Sequence, residues 1–99
     1  MRRKQTVTEL ETFVAEQIKT LIPHYDMVEL EATVTASSLS VEFFVTVDGK
    51  KMQCFQMIDD GLFTEKNFNT AAKAIAAYVR EQPDFRQDGI NRYHVVLEA

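Results

Sequence analysis

His24, His94 and Cys54 are the residues of this chain that could together make a nucleophile with its base, or a metal site. Cysteine becomes a working nucleophile beside a base, and structural zinc takes four ligands at close local spacing. Neither requirement is met by the pattern, because both histidines lie far from Cys54 in sequence and nothing resembles CxxC or HxxxH. The reading is therefore a strand cysteine acting as a small hydrophobe and two histidines at element edges. Asp59-Asp60 offers a second option, a carboxylate pair for proton transfer or cation binding. Adjacent residues of an extended chain point apart, however, and Asp-Asp-Gly is a common way to leave a strand. The pair reads as a turn, with its charge available to a basic partner. Asn67, Asn69 and Thr70 read as capping and surface residues. Three scattered glycines make no phosphate-cradling nest. No catalytic residue, metal or cofactor is expected, and the chain reads as a protein other than an enzyme.

The remaining chemistry is electrostatic. Between Lys19 and Lys50 there is no lysine or arginine, yet Asp26, Glu29, Glu31, Glu42 and Asp48 all fall there. The same segment alternates acids with aliphatics, which sorts the two kinds onto opposite sides of a strand. Facing core residues must share parity, so Glu29, Glu31 and Glu42 fall on one outer face. Phe44 joins them as the large apolar residue there. An aromatic rimmed by carboxylates is the composition of a protein interface, and its field attracts a basic partner. The candidate partner-binding residues are Glu29, Glu31, Glu42, Phe44, Asp59 and Asp60. A plainer account exists, in which outward glutamates keep a sheet soluble and discourage edge pairing.

Composition bounds the rest. A chain of 99 residues makes one domain, 1–99, that buries roughly 60–70% of the surface its unfolded form exposes. With 45% hydrophobic and 26% charged residues it belongs among globular chains. Three of its 11 bases, Arg2, Arg3 and Lys4, sit in residues 1–7, which read as a frayed terminus; eight then face 15 acids. That balance argues against direct nucleic-acid binding. A lone cysteine excludes an internal disulfide and fits a reducing compartment. The basic start runs into polar Gln5 and Thr6, and no stretch reaches membrane-spanning length, so the expected location is the cytoplasm.

The elements that must position these residues follow from periodicity. Thr8-Glu9-Leu10-Glu11 reads as a capping box, after which Leu10, Phe13, Val14, Ile18, Leu21 and Ile22 share a helical face up to Pro23. Val28, Leu30, Ala32 and Val34 alternate with polar residues, as do Leu39, Val41, Phe43, Val45 and Val47 after a turn at 36–38. Asp48-Gly49 predicts a hairpin into a third strand over about Lys50 to Ile58. Its inward side stays open: a two-residue turn buries Met52 and Cys54, one more residue buries Phe55 and Met57. A second helix runs from about Thr64 to Gln82 with Phe68, Ala71, Ala72, Ile75, Ala76 and Val79 as its apolar stripe. Asp84 to Asn91 reads as a loop, and Tyr93, Val95 and Leu97 mark a last strand. The expectation is an α+β fold: a mainly antiparallel four-stranded sheet with two packed helices, in the order helix-strand-strand-strand-helix-strand. A last strand that follows a helical crossover has the option of pairing parallel to its neighbour.

Element order and several stretches resemble the YezG-like immunity proteins of bacterial polymorphic toxin systems, which include contact-dependent growth inhibition. The similar stretches are Leu21-Ile22-Pro23 closing the first helix, Tyr25-Asp26-Met27-Val28-Glu29-Leu30-Glu31-Ala32, the strand Val41-Glu42-Phe43-Phe44, the long second helix, and Tyr93-His94-Val95-Val96-Leu97. The resemblance implies a cytoplasmic antidote that binds one toxin domain, often a nuclease, and blocks its active site. The readings left beside it are a small regulatory adaptor or assembly subunit, and a small enzyme using His24 or His94.

Overall fold

Alternating aliphatics flanked by two amphipathic segments fold into two layers, a four-stranded sheet with helices on one face. The computed structural model describes residues 3–98, with side chains from Glu9 onward. Helix α1 (Arg3–Lys19) starts ahead of Thr8, within the stretch read as frayed, so Thr8 to Glu11 lies inside the helix rather than at its cap. The Thr8 side chain itself lies outside the described residues. Val14, Ile18 and Leu21 are buried as the periodicity requires, and Leu10, Phe13 and Ile22 pack against them. Ile22 N–H still donates to Ile18 O at 2.8 Å, so one further turn carries the chain to Pro23.

Strands β1 (Met27–Val34), β2 (Leu39–Val47), β3 (Lys50–Gln53) and β4 (Asn91–Glu98) form a sheet in the order β3-β2-β1-β4. Each neighbouring pair is antiparallel, including β1 with β4. The parallel option for the last strand is thus excluded, and the reason lies in an element absent from the expected order. The third strand stops at Gln53 and gives way to a short helix, α2 (Cys54–Asp59), in place of the expected strand to Ile58. Cys54 and Met57 are three residues apart, which a helix puts on one face and a strand would split. Both are buried to within 1% of complete, while Phe55 is 47% exposed.

Because α2 turns the chain back, α3 (Glu65–Arg80) runs toward the β1–β2 turn, and β4 starts at that end of the sheet. Arg80 marks the arrival: its Nε and NH2 donate to Thr35 O at 3.0 Å and Ser38 O at 2.8 Å. Thr64 caps the start of α3, its Oγ1 accepting from Asn67 N–H at 3.0 Å. All six expected stripe residues of α3 are buried.

The β2–β3 hairpin turns on two residues, with Val47 opposite Lys50. Asp48 and Gly49 both have positive φ, 52° and 78°, as a type I′ turn requires. Asp48 N–H donates to Asp26 Oδ2 at 2.8 Å, which helps hold a non-glycine residue in that conformation. This two-residue turn settles the open register, with Met52 packed on the core side. Phe43 is the aromatic centre of that core, 5.9 Å from Phe68 and 6.1 Å from Phe63. Asn91, read as loop, begins β4 as a buried amide that ties Arg86 N–H, Arg86 O and Val34 O together. Among the described residues no helix is long and apolar enough to cross a membrane.

Candidate functional site

The helices leave one face of the sheet open, and the register decides what that face carries. Glu29 stands between Phe44 on β2 and Val96 on β4; Gln53 on β3 extends the row beyond Phe44. The neighbouring row is Glu42, Glu31 and His94, each directly opposite the next. Glu29, Glu31, Glu42 and Phe44 are therefore brought together as expected. With Lys51 and His94 they line a shallow depression of about 150 Å³.

The depression is less uniformly acidic than the sequence implied. Lys51 Nζ sits 3.1 Å from Glu29 Oε1 and 5.1 Å from the centre of the Phe44 ring. The base-free segment ends just before Lys50, and the tight turn folds the next lysine back over it. At 57% and 35% side-chain exposure this ion pair is worth at most about 1 kcal/mol, so its main effect is on local charge. Lys51 also covers part of Phe44, which is half-buried instead of fully outward. Glu42 Oε2 accepts from Gln53 Nε2 at 2.7 Å.

Glu31 has neither kind of partner among the described residues. It lies directly opposite Glu42, an arrangement that disfavours the sheet because like charges face each other across a strand pair. Among the described residues no side chain donates to it or forms an ion pair with it. Its other neighbour is the exposed His94. The site thus presents a carboxylate pair beside an aromatic ring, open to solvent and suited to receive a cationic side chain.

Asp59 and Asp60 do not join this face. They end α2 in the helical layer instead of closing a strand, Asp60 N–H donating to Gln56 O at 2.9 Å. The potential catalytic residues are also dispersed. Cys54 is buried under the inner face near the β3 edge, and burial pushes its thiol above its ordinary value of 9.0. His94 lies on the opposite face, while His24 lines a groove with α1 and β4 at the far edge. The two histidines and the cysteine do not meet.

Sequence reasoning missed Lys51, Gln53 and His94 as members of the face. Parity held the signal for His94, which alternates with Tyr93 and Val95. For Lys51 and Gln53 the missing piece was the turn length. A larger groove of about 290 Å³ between α1, α3 and β4 is lined by Tyr78, Tyr93, Asp84 and Arg92 among others. Burial, and then the charge of Asp84, raises the Tyr93 phenol above its ordinary value. Comparison with known protein families, with characterised proteins and with solved structures gave no match in any of the three.

Proposed function

We propose that this protein is an immunity protein: a cytoplasmic, non-enzymatic inhibitor that binds a basic toxin domain through the open sheet face. One observation carries the reading. Glu31 and Glu42 face each other across β1 and β2 beside the half-buried ring of Phe44, with no cation supplied to Glu31 among the described residues. A basic side chain of a partner would relieve that repulsion, so binding would gain from a cost already present in the free protein. A nuclease must present cations to phosphates, which makes its active-site surface a fitting complement. Steering between opposite charges also speeds capture, which is what stopping an incoming toxin demands. The resemblance to YezG-like immunity proteins supports the same reading.

The test starts from the genome and ends on the bench. A toxin-encoding reading frame immediately upstream is the expected setting; its product is co-expressed with this chain and growth is followed, and a metabolic operon there would count against the reading. Protection is expected, together with a complex whose association slows as salt rises. Replacing Glu29, Glu31 and Glu42 by glutamine should lower the on-rate and flatten that salt dependence, with little change in stability. Unaltered association at low salt would remove this face from the interface. A triple variant His24→Ala, Cys54→Ser, His94→Ala that folds and binds the toxin but no longer protects would point instead to an enzyme.

A further inference from the structure

The two edges of the sheet are built differently. At one edge β3 is four residues long, carries Lys50 and Lys51, and turns at once into α2. Short length and lysines are the usual protections of an exposed edge. At the other edge β4 runs eight residues, Asn91–Glu98, with no proline and with Val96 40% exposed. Its inner face packs against α1, which buries Val95 and Leu97 and leaves grooves of about 290 and 440 Å³ alongside, while among the described residues no strand pairs with its outer edge.

Backbone direction along β4 follows from two contacts. Thr35 N–H donates to Ser38 O across the β1–β2 turn, so odd residues of β1 point their polar groups toward β2. Even residues then point toward β4, and Val34 O, aimed to that side, accepts from the Asn91 side-chain Nδ2. Their partners in β4 are Asn91, Tyr93, Val95 and Leu97. The N–H and C=O groups of Arg92, His94, Val96 and Glu98 are thus aimed away from the sheet, at the free edge.

We infer that this edge pairs with β4 of a second copy of the chain, antiparallel about a two-fold axis at Val95. The strand is complementary to itself in that register. Arg92 falls opposite Glu98 of the partner subunit, twice by symmetry, and His94 opposite the partner's Val96. On the inner face Tyr93 meets the partner's Leu97, and Val95 meets its own copy. The four outward-aimed residues are the ones that this register places in hydrogen-bonded pairs, so both backbones are satisfied at once. The product is one continuous eight-stranded sheet with an isologous interface. Glu29, Glu31, Glu42 and Phe44 stay outside the junction, so the inference stands apart from the proposed toxin-binding role.

Sedimentation equilibrium on the full chain tests it, with circular dichroism as the control for folding. A concentration-dependent dimer is expected. Arg92→Glu alone and Glu98→Arg alone should each weaken it at least about tenfold, by setting like charges opposite each other. The double variant Arg92→Glu, Glu98→Arg should restore the wild-type dimer, which no general loss of folding can mimic. Val96→Pro removes an N–H aimed at the free edge and spares the β1 ladder, so it should give a folded monomer. A wild-type chain that stays monomeric at millimolar concentration overturns the inference. So does a dimer indifferent to the charge exchange, which would place the contact elsewhere.

Discussion

The same strands carry two faces with opposite economies. On the inner face Val28, Leu30, Phe43 and Val45 are excluded from water to within 1%, and their neighbours are the stripes of α1 and α3. On the outer face Glu29, Glu31, Glu42 and Phe44 alternate with them residue by residue, yet none is fully buried. The inner side chains agree with one another, since each burial favours the next. The outer ones include a repulsive pair, Glu31 against Glu42, that the fold tolerates without using. Where a locally unfavourable arrangement persists beside a well-packed one, it points to function outside the free monomer.

The sharpest way to break the comparison is to exchange the fates of two adjacent phenylalanines. Phe43→Ala should cost about 3–5 kcal/mol in urea denaturation, because the cavity opens between Phe63, Phe68 and the sheet. Binding measured under conditions where the variant stays folded should be near normal. Phe44→Ala should show the reverse pattern. Its stability cost should be about 1 kcal/mol, reflecting partial burial and the Lys51 contact, while dissociation of the proposed toxin partner accelerates to the equivalent of about 2 kcal/mol or more. A large stability loss for Phe44→Ala with an unchanged off-rate would erase the distinction between the faces. The smallest effect should come from Glu31→Gln, which removes one half of the like-charge pair. The free protein should gain about 0.3 kcal/mol by thermal or urea melting, while association with the proposed toxin partner slows at low salt. A variant less stable than wild type would mean that Glu31 is held by attraction rather than endured.

Much of this contrast is legible in the amino-acid sequence. Period-two alternation placed Glu29, Glu31, Glu42 and Phe44 on one face, because a hydrophobic inner face leaves a strand no freedom of register. Both long helices were legible from the spacing of their apolar residues. The failures cluster where periods compete. Residues 54–58 carry apolar side chains that satisfy a strand for part of their length and a helix over the whole, and tertiary burial of Cys54 with Met57 chose the helix. That one element closed the parallel option left open for the last strand. Lys51 entered the acidic face only because the preceding turn is two residues long. Turn length is a geometric fact that Asp48-Gly49 suggests but does not state. Asp59 and Asp60 followed the same misassigned element into the helical layer.

Cys54 gives this small protein an internal clock. The side chain opens α2 beneath the sheet, fully enclosed and held as the neutral thiol by its surroundings. A thiol reagent in solution therefore cannot modify it at the rate of a free cysteine; modification must wait for the helix to lift or the whole chain to unfold. The reagent's rate then reads the frequency of that opening. Because α2 is six residues long and sits at the short-stranded edge, it is the segment whose excursions can be timed without dissolving the remainder. Labelling that runs ahead of global unfolding would show that the β3 corner breathes on its own, while the face that carries Glu31 and Phe44 stays assembled.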